Sequence, residues 1–199
     1  MVKLELTQPS RPERADAARN REKILRAAAE LFERDGIEAV SMDAVAHAAG
    51  VSKGTLFHRF GSRAGLAMAL LDEAERELQD ALLRGPAPLG PGAPPAERLE
   101  AFLDAYVDLL ADHHALIRTS EHGGEEGRRF RNSAYAAWHQ HVALLLRELG
   151  GTADPALTAH LLLAMVDSEL YRALGADDAA LKRALAELVT SAAGTGAGP

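Results

Sequence analysis

The stretch 41–63, SMDAVAHAAGVSKGTLFHRFGSR, reads as two short helices joined by a glycine turn. Ser41 stands where its hydroxyl can cap a helix whose inward positions are Val45, Ala46 and Ala49. Ala46 is small where two helices must cross closely. Gly50 falls where the chain must turn, and glycine takes positive φ at little steric cost. Val51 plugs the corner, and Ser52 caps the second helix. Leu56 and Phe60, four residues apart, hold that helix to a core. Lys53, Thr55, His58 and Arg59 are left facing outward.

A short helix with donors near its N-terminus can reach base edges and phosphates in a major groove. The sequence therefore predicts a DNA-binding helix-turn-helix here. The alternative is an ordinary helical hairpin with a solvated polar face.

The flanking segments extend the pattern. Residues 21–36, REKILRAAAELFERDG, form an amphipathic helix with Ile24, Leu25, Ala28, Leu31 and Phe32 on one side. Gly36 is a natural residue to follow its last turn. Gly61-Ser62 breaks the chain after Phe60, and Ser62 caps a long helix that begins at Arg63 and runs to about Leu83. Three short helices and the start of a long one follow in order.

This order resembles the tetracycline-repressor (TetR) family of bacterial transcription regulators. The resemblance rests on I-L-x-A-A-x-x-L-F at 24–32, G-x-x-x-x-S-M-D-x-V-A at 36–46, A-G-V-S-K-G-T-L-F at 49–57 and F-G-S-R-x-x-L at 60–66. It covers roughly residues 19–70; the rest is matched only in helical style. It implies DNA contacts from Ser41, Met42, Ser52, Lys53, Gly54, Thr55, Phe57, His58, Arg59 and Arg63. Three positions depart from the family's habit. Phe57 stands where a tyrosine hydroxyl often touches phosphate, so this ring can only pack. Arg59 stands where histidine or tyrosine is frequent and adds a charge. Arg63 replaces a frequent lysine, while the nearby Gly65 lowers helix propensity and is expected to loosen the joint between two domains.

Composition agrees with an all-α fold. Alanine and leucine dominate a 47% hydrophobic chain of 199 residues with 5% aromatics, and no strand-like alternation appears. There is no cysteine, so no disulfide framework and no thiol redox sensor. The N-terminus lacks the apolar segment of a signal peptide, and no apolar run approaches spanning length, so a soluble cytoplasmic protein without a membrane partner is expected. The formal charge of −7 is unevenly distributed. Residues 1–65 carry a net of +2 and the remainder −9. The basic balance lies with the DNA module, and the acidic part is repelled by phosphate.

The expected division is an arm at 1–18, the helix-turn-helix domain at 19–65, an effector-binding and dimerisation domain at 66–192 and a disordered tail at 193–199. In the second domain, 84–95 (RGPAPLGPGAPP) is too rich in proline and glycine for helix and is expected to be a mobile loop. Helices are expected at 96–112, 128–149, 155–174 and 181–189, with a short piece at 113–120. The segment 155–174 is apolar nearly all round and must be covered on every side. The economical cover is a second subunit, with the last two helices of each copy forming a four-helix bundle, as the resemblance also implies. A homodimer matches a two-fold, palindromic operator.

An effector site is expected among Phe102, Tyr106, Tyr135, Trp138 and Met165, edged by Arg118, Glu121, His122, His139 and Asp167, because small-molecule sites are mostly apolar with a few polar groups. Plain core packing is the competing reading, and Asp167 faces either that pocket or the dimer interface.

Eight histidines raise the alternative of a metal sensor or enzyme. Their spacing matches no metal motif, and His139 and His141, two apart on a helix, point to different sides. No G-x-S-x-G, phosphate-cradling glycine loop or cysteine nucleophile is present, so neither catalysis, nor a metal, nor a cofactor is expected. The resemblance implies a repressor released from its operator by an unidentified small molecule. The ligand would move the long helix after Ser62, change the distance between the two recognition helices and weaken DNA binding, a coupling that must be reciprocal.

Overall fold

The computed structural model describes residues 11–122, 133–166, 175 and 177–194, with side chains at 16–120, 134–166, 175 and 177–191. The described residues form helices and connecting turns, with no strand. In chain order the helices are α1 (Arg11–Asp35), α2 (Met42–Ala49), α3 (Lys53–Phe60), α4 (Arg63–Arg84), α5 (Pro95–Asp112), α6 (His114–His122), α7 (Ser133–Leu149), α8 (Pro155–Val166) and α9 (Asp178–Gly194). The chain divides into two units, Met1–Leu70 and Leu71–Pro199, with the boundary inside α4. α1 begins at Arg11, within the stretch read from sequence as an arm.

The first unit is organised around Ile24, Leu25, Ala28, Val40, Val45, Ala46, Leu56 and Leu66. Apart from Val40, in the α1–α2 connection, these are the inward positions of α1, α2, α3 and the first turn of α4, brought to one centre by 3.6-residue periodicity. The turn between α2 and α3 is a Schellman cap. Gly50 takes φ 65°, ψ 33°, its N–H reaches His47 O at 3.1 Å, and Val51 N–H reaches Ala46 O at 3.0 Å. Both orphan carbonyls are thereby satisfied, and Val51 packs on the core beneath the turn.

Gly65 behaves otherwise than its helix propensity suggests. A Cβ there would lie 2.0 Å from the backbone oxygen of Phe60. The residue is a site of close backbone approach rather than a loosened joint.

The second unit has its own core. Leu99, Phe102, Leu103, Tyr106, Val107 and Leu110 of α5 meet Trp138, Val142, Leu145 and Leu146 of α7, with Leu163 of α8 and Leu185 of α9. α8 packs on α7, and α9 packs on α5. Asp154 caps α8 by accepting from Leu157 N–H at 3.0 Å, with Pro155 as its first residue. Asp177, not Asp178, caps α9, accepting from Ala179 N–H at 3.1 Å.

The proline- and glycine-rich segment at 84–95 is a built turn rather than a loose loop. Leu89 packs on the core, Gly90 is buried, and Gly90 N–H reaches Pro86 O at 2.8 Å. Of the expected helices at 128–149 and 155–174, the parts at 128–132 and 167–174 lie outside the described residues.

Candidate nucleic-acid interface

The two N-caps fix the face expected to meet DNA. Ser41 Oγ accepts from Ala44 N–H at 3.1 Å, and Ser52 Oγ accepts from Thr55 N–H at 3.0 Å. The remaining free N–H groups at the start of α2 and α3 carry the positive end of each helix dipole. Ser52 Oγ also lies 2.8 Å from Thr55 Oγ1, so the threonine hydroxyl is held at the first turn of α3. Leu56 is fully buried, and Phe60 packs beside the same core. This anchoring leaves Lys53, Gly54, Phe57, His58 and Arg59 exposed, with Thr55 and Met42 half-buried at the edge and Ser41 and Ser52 at the surface. One helix of eight residues thus presents a cation, a small backbone window, a ring and two further basic side chains.

Two cations are less free than their charge suggests. Arg63 donates to Glu38 O at 2.9 Å and to the Glu38 carboxylate at 2.7 Å, so its guanidinium ties the α1–α2 connection to the start of α4. Lys53 Nζ sits 2.8 and 2.9 Å from the two carboxylate oxygens of Asp43 on α2, and 5.8 Å from the Phe57 ring centroid. The sequence reading passed over Asp43, because an acid in the first turn of a helix reads simply as a favourable dipole partner. Only the fold brings it to Lys53, ten residues away.

In the second unit, Phe102, Tyr106 and Trp138 are brought together, as expected, but as a tight cluster. Their centroids are 5.8 Å apart for Phe102–Tyr106 and for Phe102–Trp138, and 6.4 Å apart for Tyr106–Trp138. All three are buried. Tyr135 and His139, also on α7, fasten it to α8. The Tyr135 hydroxyl is 2.9 Å from His160 Nδ1, and burial pushes that phenol's pKa up. His139 Nε2–H donates to Ala156 O at 3.0 Å, and its ring stacks on His160 at 3.8 Å. These histidines are spent on helix packing. Arg118 and Met165 are exposed. The side chains of Glu121 and His122, and all of Asp167, lie outside the described residues.

Sequence reasoning missed a polar pair inside this unit. Arg98 Nε on α5 and His141 Nε2 on α7 are both buried without a hydrogen-bond partner. The His141 ring stands edge-on to Phe102 at 5.4 Å. Burial, reinforced by the Arg98 charge, pushes the His141 pKa down to about 4, so the imidazole is neutral at pH 7. Among the described residues no group of three or more His, Cys, Asp or Glu could hold a metal ion, and no helix is long and apolar enough to cross a membrane.

The chain holds a helix-turn-helix unit and a second helical unit, and comparison with known proteins shows what each is similar to. Residues 24–70 match the family described as bacterial regulatory proteins, tetR family. An HTH-type transcriptional regulator of Staphylococcus aureus (strain MRSA252) is 27% identical over 122 residues, covering 61% of this chain and 64% of that relative. A transcriptional regulator of the TetR/AcrR family from Thermobifida fusca shares the fold with a TM-score of 0.63 at 20% identity, over 85% of this chain and 95% of that one. A putative transcriptional regulator from Saccharomonospora viridis, solved in complex with choline, has a TM-score of 0.66 at 22% identity, over 87% of this chain and 96% of that one. Residues 24–70 thus carry a helix-turn-helix domain of the tetR family's kind, and the chain spans 64% of the length of the curated relative it matches. The relatives named here are transcriptional regulators, not enzymes.

Proposed function

We propose that this protein is a dimeric, ligand-responsive transcription regulator of the cytoplasm. It binds a palindromic DNA operator through α2 and α3 and acts as a repressor released by a small molecule. The observation that carries the reading is the face of α3. Phe57, His58 and Arg59 are held in the open by a fully buried Leu56, at the end of a properly capped helix-turn-helix. Ser41, Met42, Ser52, Lys53, Gly54 and Thr55 complete that face. Arg63 supports it from behind through Glu38.

Arg59 supplies the test. Arg59→Ala is expected to weaken binding to operator and to unrelated duplex alike. It should also flatten the dependence of log affinity on log salt by about one unit, because one phosphate contact is lost. Titration of labelled duplex at several salt concentrations reads both. A folded Arg59→Ala variant with unchanged affinity and slope would remove α3 from the interface.

The effector reading rests on the second unit. Buried polar atoms ordinarily have partners. Arg98 Nε and His141 Nε2 lack them beside the Phe102–Trp138 cluster, which supports a polar ligand group entering there. Trp138, the only tryptophan, is the probe. A true effector should change its emission over the same concentration range that releases the operator. Release with Trp138 emission unchanged would move the site elsewhere.

A further inference from the structure

We propose that Asp43 is a specificity-determining residue, and that Asp43 and Lys53 together read one G·C base pair in each half-site. The inference rests on the DNA-binding reading above and deepens it.

The pair is geometrically defined. The Lys53 ammonium bridges both Asp43 oxygens at 2.8 and 2.9 Å, and the Phe57 ring lies beneath it at 5.8 Å. Both side chains are largely exposed, at 63% and 62%. An exposed ion pair of this kind adds little to the stability of a fold. Its position is the informative part, since it links the first turns of α2 and α3, the two helix starts that face the groove.

A carboxylate there opposes binding to phosphate. It becomes favourable only against a base edge that donates. The major groove offers cytosine N4 for this, and guanine O6 and N7 accept from lysine. A G·C pair sets those groups side by side, as the ion pair sets its acceptor beside its donor. Three ammonium donors and four carboxylate lone-pair sites leave capacity for the bases after the mutual contact is made. An A·T pair places its donor, adenine N6, between single acceptors at N7 and thymine O4, whereas guanine offers the ammonium two adjacent acceptors, N7 and O6, with the cytosine donor next to them. The sense of the inference is therefore G·C, with Lys53 toward guanine and Asp43 toward cytosine. Lys53 is consequently a base reader restrained by a partner, rather than the uniform phosphate contact its charge alone suggests.

The experiment uses the full chain and a library of duplexes randomised around an operator recovered from retained genomic fragments. Wild type is expected to require G·C at one position of each half-site. Asp43→Asn and Lys53→Ala should each lower that preference about 10-fold or more, at the same position. The double variant should lose little beyond either single one, as for residues that act together. Asp43→Asn should also steepen the salt dependence by about one unit, because Lys53 is freed for phosphate, and Asp43→Glu should restore part of the preference. Unchanged base preference in folded Asp43→Asn overturns the proposal. So does a changed slope without changed preference, or loss at an A·T position. Failure of wild type to retain any DNA fragment would instead sink the DNA-binding reading itself.

Discussion

Gly65→Ala is expected to destabilise the helix-turn-helix unit and abolish operator binding, although the same change in most helices is stabilising. In an exposed helix interior, alanine is favoured over glycine by about 1 kcal/mol. Here the added methyl carbon would lie 2.0 Å from Phe60 O and 3.1 Å from Phe60 C, both backbone atoms. Backbone cannot rotate aside as a long side chain can. Either α3 ends differently or α4 starts farther away. Overpacking of this kind costs about 1–3 kcal/mol, enough to outweigh the propensity gain. The shift would strike the last turn of α3, where His58 and Arg59 stand. Urea unfolding followed by far-ultraviolet dichroism, with operator titration alongside, reads both effects. A variant as stable as wild type and fully active would show that Phe60 and Gly65 do not approach so closely.

Gly65 also shows what the sequence could and could not convey. Local signals were legible because they act over a few residues. Ser41, Ser52 and Asp154 cap the helices they precede, and Gly50 takes the left-handed conformation its place in the turn required. Core faces followed from period alone, as with Ile24, Leu25 and Ala28 in α1 or Leu99, Phe102 and Tyr106 in α5. Contacts between elements were not legible. The approach of Phe60 O to Gly65, the Asp43–Lys53 pair, the hold of Glu38 on Arg63 and the Arg98–His141 pair each join residues whose meeting depends on how helices cross. The proline-rich segment at 84–95 failed for a related reason. Its composition excludes helix but says nothing about whether Leu89 finds a core to rest on.

Leu161→Glu is expected to convert the proposed dimer to monomers and to lower operator affinity by a factor of about 10² to 10⁴, the loss that follows when two half-sites can no longer be engaged by one linked pair. α8 is apolar on both sides. Ala159, Leu162, Leu163 and Val166 are buried in the chain's own core, while Leu157, Leu161 and Met165, each four residues on from the last, remain 55%, 57% and 44% exposed. The proposed dimer places a second copy against this stripe, and burying one leucine contributes about 1.5–3 kcal/mol. A two-fold axis repeats each change in both subunits, so the glutamates enter the interface twice. Leu163, on the same helix, is the wrong position for such a test. It is fully buried within the subunit, and a charge there should unfold the chain rather than separate two folded ones. The contrast is the test. Light scattering of Leu161→Glu at micromolar concentration should give the monomer mass with helical content retained, while Leu163→Glu should lose its cooperative melt. A dimeric Leu161→Glu with wild-type operator affinity would place the subunit interface on another face.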